Sequence, residues 1–252
     1  ELLFGTLGDV RCVFLPRHGR GHRLSPTHLN YRANIDALKR AGVTDILSIS
    51  AVGSLKADLP PGHFVIVDQF IDRSFAREKS FFGEGCVAHV SMAEPVCARL
   101  GHALETAARR LGLPVTRGGT YLVMEGPQFS TKAESLLYRS WGASVIGMTN
   151  MPEAKLAREA QMNYATLAMV TDFDCWHETH DHVTVETVVA VLHQNVENAR
   201  RLLTEVLPAL GAPRPFCPQG CDHALENAVI TPPGQRDAGL MAKLDAAMRR
   251  HG

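Results

Sequence analysis

No apolar run in this chain approaches the ~20 residues needed to cross a bilayer, and no charged-then-apolar leader opens it. These absences argue against a membrane-spanning protein and predict a soluble, cytoplasmic one. Neither sign of charge is in excess: 26 basic and 26 acidic side chains cancel, and the pI is near 7.4. Without a global field, nucleic acid and membrane surfaces are not expected partners, and any anion must be held by a local site. Framework-spaced cysteines are missing too. The six, at 12, 86, 97, 175, 217 and 221, sit mostly inside apolar patterns and read as thiols of a reducing compartment. Cys217-Pro-Gln-Gly-Cys221 alone is closely spaced, but no histidines stand near it at ligand spacing, so no metal is assigned there. Internal repeats and low-complexity segments are absent. The chain begins with Glu rather than Met, so an upstream segment is expected.

What is present is enough apolar sequence, 45% of 252 residues, for a substantial core. Strand-like and helix-like segments alternate, which places the chain in the α/β class. Residues 1–210 read as one domain, and 211–252 as a Pro/Gly-rich linker with a short amphipathic helix carrying Leu240, Met241, Leu244 and Met248. Strands are predicted at Val10–Pro16, Asp45–Ser50, His63–Asp68, Gly119–Met124, Ala143–Met148 and up to Val170. Helices are predicted over Asn30–Ala41, from a capping box at Ser91–Glu94 to Gly112, after Thr131 and Glu134, from Pro152, and over Thr184–Leu207. Residues from Phe70 to about His89 read as one long loop, the kind that usually carries function.

The organising stretch is Tyr164-Ala-Thr-Leu-Ala-Met-Val-Thr-Asp-Phe-Asp-Cys-Trp176, an apolar run that stops at two carboxylates. It reads as a doubly buried strand whose C-terminal end opens onto a crevice. If the extended backbone continues, Asp172 and Asp174 face the same way with roughly 7 Å between their Cα atoms. Mutual repulsion would then keep a proton on one of them, giving an acid beside an acceptor. The alternative is a helix N-cap. Arg17-His-Gly-Arg-Gly-His22 follows a strand end and forms a candidate anion site, or else a solvated basic turn. Ala51-Val-Gly-Ser-Leu55 reads as a turn whose N–H groups could meet phosphate oxygens, a weak signal alone.

Taken together, Arg17-His-Gly with His22, Asn30-Tyr-Arg-Ala-Asn-Ile35, Ala51 with Gly53-Ser54, Asp68-Gln-Phe-Ile-Asp-Arg73, Met92-Ala-Glu-Pro95, Glu125-Gly-Pro-Gln-Phe-Ser130, Met148-Thr149 and Thr171-Asp-Phe-Asp-Cys-Trp176 are far more specific than any one of them. In order, from about Val10 to Leu207, they resemble the trimeric branch of the purine nucleoside phosphorylases, and within it the 5′-methylthioadenosine phosphorylases. The resemblance implies a single α/β domain with a mixed, partly barrel-like sheet flanked by helices. It also implies cleavage of the nucleoside by phosphate, which is a co-substrate, with no cofactor or metal. The family's phosphate contacts fall on Arg17, His18, Ser50, Ala51 and Thr149. Met148 matches the ribose contact, Phe129 the base side, and Asp172, Phe173 and Asp174 the adenine edge. Val185 and Val188 match the wall around the 5′-methylthio group, although a helix core face explains them equally well. His89 matches a residue lent to a neighbouring subunit of a homotrimer.

Asp172, Asp174 and His18 are the implied catalytic groups. A protonated carboxyl at the purine N7 lowers the barrier to base departure, and the second carboxylate accepts from the exocyclic amine. An amide would suit a 6-oxopurine instead, so the carboxylate pair favours adenine. Three other readings stay open: a phosphorylase for methylthioinosine or another 6-oxopurine nucleoside, a nucleosidase that uses water, and a non-catalytic nucleoside-binding protein. Some features depart from the family. Its first strand and Gly-rich phosphate turn do not precede Glu1, which predicts an unpaired flank of the sheet and fewer phosphate donors. Gly147 stands where some relatives carry a polar residue and is expected to loosen the ribose site. Ser50 replaces a frequent Thr and keeps the hydroxyl.

Overall fold

The computed structural model describes residues 1–177, 185–211 and 214–249, with the side chains of 185–188 and 190 outside that description. An antiparallel hairpin, β1 (Leu3–Leu7) and β2 (Val10–Phe14), precedes the main sheet. That sheet has seven strands: β3 (Asp45–Ser54), β4 (Phe64–Ile66), β5 (Gln69–Asp72), β6 (Val115–Arg117), β7 (Thr120–Val123), β8 (Val145–Gly147) and β9 (Asn163–Asp172). Their spatial order is β5-β7-β8-β3-β9-β4-β6. The curled sheet is mixed, with β3 parallel to β9 but antiparallel to β8, and β4 antiparallel to β9.

The expected apolar strand is β9, buried from Asn163 to Thr171. Its period of two divides the core. Tyr164, Ala168 and Val170 belong to one cluster with Ile35, Leu38, Ala154 and Leu156, and Ala165, Leu167 and Met169 to another with Leu100, Leu104, Leu202 and Val206. Helices α1 (Tyr31–Arg40) and α4 (Asn150–Glu159) therefore cover one face, and α2 (Ala98–Arg110) and α5 (Val185–Ala209) the other. Each fully buried leucine among them contributes about 1.5–3 kcal/mol.

Local chemistry sets several ends. Asn30 caps α1 by accepting from the Ala33 N–H, and Gly42, at φ 83°, ends the chain's helical path. Thr131 and Glu134 form the expected capping box at the start of α3 (Lys132–Ser140). The one expected at Ser91 does not form: α2 begins only at Ala98, past Pro95, behind an N-cap at Cys97. The long loop is shorter than expected, because β5 lies inside it. The turn expected at Ala51–Leu55 is instead the end of β3, which runs on to Ser54 with a register shift between Val52 and Gly53.

Over Asp45–Val52, β3 bonds β9 on one side, while β8 meets it only at Gly53 and Ser54. Among the described residues no strand lies along that remaining flank. The C-terminal region, including α6 (Ala238–Lys243), packs its Leu240, Met241 and Leu244 against Phe82 and Cys86, and Arg40 pairs with Asp245 at 2.5 Å. Among the described residues, no helix is long and apolar enough to cross a membrane.

Candidate functional site

The ends of β3 and β9 lie side by side. Gly53 pairs with Asp172, and a Cβ added at Gly53 would stand 2.8 Å from Asp172 Oδ1 and 3.4 Å from Asp174 Cβ. Ser50 lies three residues earlier on β3, about 10 Å away along an extended chain. That is within the span of one nucleoside.

The acidic pair is not built as an extended i, i+2 pair. β9 ends at Asp172, and Asp174 adopts a left-handed φ of 52°, which turns its backbone N–H onto Asp172 Oδ1 at 2.8 Å. The Thr171 hydroxyl donates to Asp172 Oδ2 at 2.7 Å. Both carboxyls are raised above the ordinary Asp value, and burial, rather than the mutual repulsion expected from sequence, is the leading cause. The Asp174 charge contributes only the smallest part of the Asp172 shift. Asp174 is 5% exposed and its Oδ2 has no hydrogen-bond partner, although the Ser130 and Ser135 hydroxyls lie near enough to pull its pKa down a little. A buried acceptor without a donor is suited to a ligand that supplies one.

The loop after β9 is clasped on both sides. Trp176 Nε1 donates to the Ser54 carbonyl at 2.7 Å, and Cys175 Sγ to the Ser130 carbonyl at 3.3 Å, which brings the Phe129 segment alongside. Arg139 stacks over the Trp176 ring and buried Phe173 meets it edge-on. Phe129 itself is 45% exposed.

The basic segment splits in two. Arg20 and His22 are exposed, as the solvated-turn reading held, whereas Arg17 turns inward. Its Nε and Nη2 donate to Glu153 at 2.8 and 2.7 Å, Nη2 also to Ser48 Oγ at 2.7 Å, and Nη1 to the Ile49 carbonyl at 3.2 Å. Four of the five guanidinium donors are thus engaged, leaving one on Nη1 for an anion. Desolvation works against the Arg17 charge, but Glu153 more than offsets it. His18 stacks on His22 with ring centroids 4.1 Å apart, and its Nδ1 lies 2.8 Å from the Leu24 carbonyl. A carbonyl only accepts, so Nδ1 carries the hydrogen. Burial lowers the His18 pKa, leaving a neutral ring whose Nε2 is an acceptor.

Ser50 and Thr149 are both buried, and the Tyr121 hydroxyl lies 3.0 Å from Ser50 Oγ with Thr149 near enough to act on the phenol. Gly147 leaves no slack, contrary to expectation, because Tyr121 occupies the space beside it. Ala51 is exposed next to Ser50. Met148 packs its sulfur on Gly126, and its carbonyl accepts from Arg77 Nη1 at 2.6 Å.

Sequence reasoning missed Arg77, Glu125, Glu153 and Tyr121. Arg77 is bound to Glu125 at 2.9 Å and donates to the carbonyls of Glu125 and Met151, so it ties the Glu125–Ser130 loop to the start of α4. The available signal was an Arg set among Phe70, Phe75, Phe81 and Phe82 in an apparent loop. His89 is exposed and bonds through its backbone to Ala228, apart from this constellation. Val185 and Val188 lie on the first turn of α5, and their side chains fall outside the described residues.

A family model described as the phosphorylase superfamily matches residues 1–208. The S-methyl-5′-thioadenosine phosphorylase of Rhodospirillum rubrum is 64% identical over 251 residues, 99% of this chain and 85% of the relative. The protein of the same name from Cereibacter sphaeroides is 61% identical, over 99% of this chain and 86% of its own. The crystal structure of a methylthioadenosine phosphorylase from an antarctic soil metagenomic library superposes with a TM-score of 0.92 at 45% identity, covering 98% of this chain and 87% of that one. The methylthioadenosine phosphorylase of Schistosoma mansoni in complex with adenine gives a TM-score of 0.81 at 41% identity, over 84% and 80%.

Proposed function

The chain belongs to the phosphorylase superfamily, and we propose that it cleaves 5′-methylthioadenosine with phosphate to adenine and 5-methylthioribose 1-phosphate. The observation that carries this reading is the buried, partnerless acceptor of Asp174 beside a carboxyl whose pKa is raised, at the end of β9 next to the β3 segment that carries Ser50. Adenine presents an acceptor at N7 and a donor at N6. Asp172 in its protonated form donates to N7 as negative charge builds on the departing base, and Asp174 accepts from the 6-amino group.

On the other flank, phosphate is held by the remaining Arg17 donor, by the Ser50 and Thr149 hydroxyls and by backbone at Ala51. Its negative charge stabilises the cation-like C1′ before one of its oxygens bonds there. Neutral His18 accepts a hydrogen bond at Nε2 from the protonated oxygen of the bound phosphate, which orients the anion. Met148 lies against the ribose and Phe129 and Phe173 line the base. Val185 and Val188 border the methylthio group, and His89 serves a neighbouring subunit of a homotrimer. The protein works in the cytoplasm on small molecules, and the reaction needs no cofactor.

Adenine release measured with and without phosphate tests the proposal. Release that requires phosphate, with methylthioinosine a poor substrate, is expected. Equal release without phosphate would show a nucleosidase, and no release would show a binding protein.

A further inference from the structure

The fold gathers three buried thiols that the reaction does not use. Cys97, the N-cap of α2, meets Cys217 and Cys221 from the C-terminal region, and the three sulfurs all lie within 4.8 Å of one another. Cys217 Sγ and Cys221 Sγ are 3.0 Å apart. In sequence Cys97 is remote from the other two, which is why the Cys217/Cys221 pair alone gave no ligand set.

All three thiols are buried, and thiolate is the form in which cysteine holds a metal. A fourth donor stands beside them: the Gln219 amide oxygen is 3.2 Å from Cys217 Sγ and is fixed by the Ala98 N–H at 3.1 Å.

We propose that Cys97, Cys217 and Cys221, with the Gln219 amide oxygen, form a structural site for a thiophilic d10 cation such as zinc. Tetrahedral bonds of about 2.3 Å place thiolate sulfurs roughly 3.8 Å apart, a separation that the 3.0 Å pair and the 4.8 Å limit bracket. Three converging sulfurs favour a metal over a disulfide, which would use two and strand the third. The ion fastens the C-terminal region to α2. The thiols cluster with Ala165, Leu167 and Met169, on the opposite face of the sheet from Tyr164 and Glu153, so the site is separate from the one that takes the nucleoside.

The full chain, isolated anaerobically, reduced and stripped of metal, is titrated with cadmium. A sulfur-to-metal absorption band saturating at one ion per chain is expected, with a melting temperature raised by roughly 5–10 °C at a hundredfold excess over Kd. Zinc should compete for the same site. Cys217→Ser or Cys97→Ser should abolish the band and Cys12→Ser should keep it, with phosphate-dependent turnover unchanged in all three. Should the variants fail to fold, the titration of the unaltered chain still decides. Failure to saturate at one ion, or peptide mapping that finds Cys217 joined to Cys221 in the anaerobic protein, overturns the proposal.

Discussion

The Tyr121 hydroxyl fills the space that a side chain at position 147 would need: a Cβ built on Gly147 would lie 2.0 Å from Tyr121 Oη. The absence of a side chain on β8 therefore lets a phenol on β7 reach Ser50. Gly147→Ala must displace the ring, and overpacking of this kind costs about 1–3 kcal/mol. The variant should unfold at lower denaturant and show a raised KM for phosphate. Tyr121→Phe, which deletes only the hydroxyl, should cost about 1 kcal/mol and raise the same KM less. An unchanged phosphate KM in both would detach Tyr121 from the anion.

Asp172→Asn preserves an oxygen for the Asp174 N–H but removes the acid. Its kcat/KM on 5′-methylthioadenosine should fall about 10²- to 10⁴-fold, with the unfolding midpoint nearly unchanged. The ratio of methylthioinosine to methylthioadenosine turnover should rise instead in Asp174→Asn, whose amide can donate to a 6-oxo group. Steady-state rates on both nucleosides read the outcome.

The pH dependence has two limbs of opposite sign. Burial alone would raise Glu125, but the Thr27 hydroxyl, the Phe75 and Ala76 N–H groups and Arg77 hold it down to about 2 from 4.5. Asp72 is likewise held to about 2 from 3.8, by Lys155, Ser74 and Lys79 against its own burial. These carboxylates stabilise the fold above the ordinary values, and the contribution is lost as pH falls from 4.5 toward 2. Denaturant unfolding of Glu125→Gln should show a shallower loss across that window than the unaltered chain.

Asp172 and Asp174 act in the other direction. Their raised values mean that the folded chain binds protons more readily than the unfolded one. The stability they give is present below 3.8 and disappears as pH climbs through their folded values. Because the acid form of Asp172 protonates the base, kcat/KM should fall along the same ascending limb, and Asp172→Asn should flatten that limb.

Arg77 offers the severest test of the scaffold. Its side chain is 1% exposed and its guanidinium reaches Glu125, Tyr31 and the carbonyls of Met148, Met151 and Glu125 at once. Arg77→Met leaves Glu125 buried without its ion partner, a loss of about 3–5 kcal/mol. Arg77→Lys supplies a charge without the planar fork and should recover only part of it. Thermal unfolding of the two variants gives the order.

Elements governed by neighbours in sequence were readable beforehand. β9 announced itself by an unbroken apolar run, α1 by Asn30 and Gly42, and α3 by the Thr131–Glu134 pair. β5 and β6 escaped because three or four residues carry too little periodicity, and α2 started late because Pro95 outweighed the Ser91 pattern. At the site, Arg17, Ser50, Thr149 and the two aspartates could be named from motifs. Their supporting partners could not: Glu153 lies 136 residues from Arg17, Tyr121 lies 71 from Ser50, and such pairings leave no mark on local spacing. The turn at Asp174 was also hidden, since a chain leaving a strand can continue straight or double back with the same residues.

The bend at Asp174 limits how this protein can drift toward other bases. Few side chains tolerate that backbone geometry, and aspartate, asparagine and glycine do so most readily. The wall facing the exocyclic group can then be an acceptor, an amide or a blank. Preference for the nucleobase should therefore change across descendants of this sequence in discrete jumps, not by gradual enlargement of a side chain.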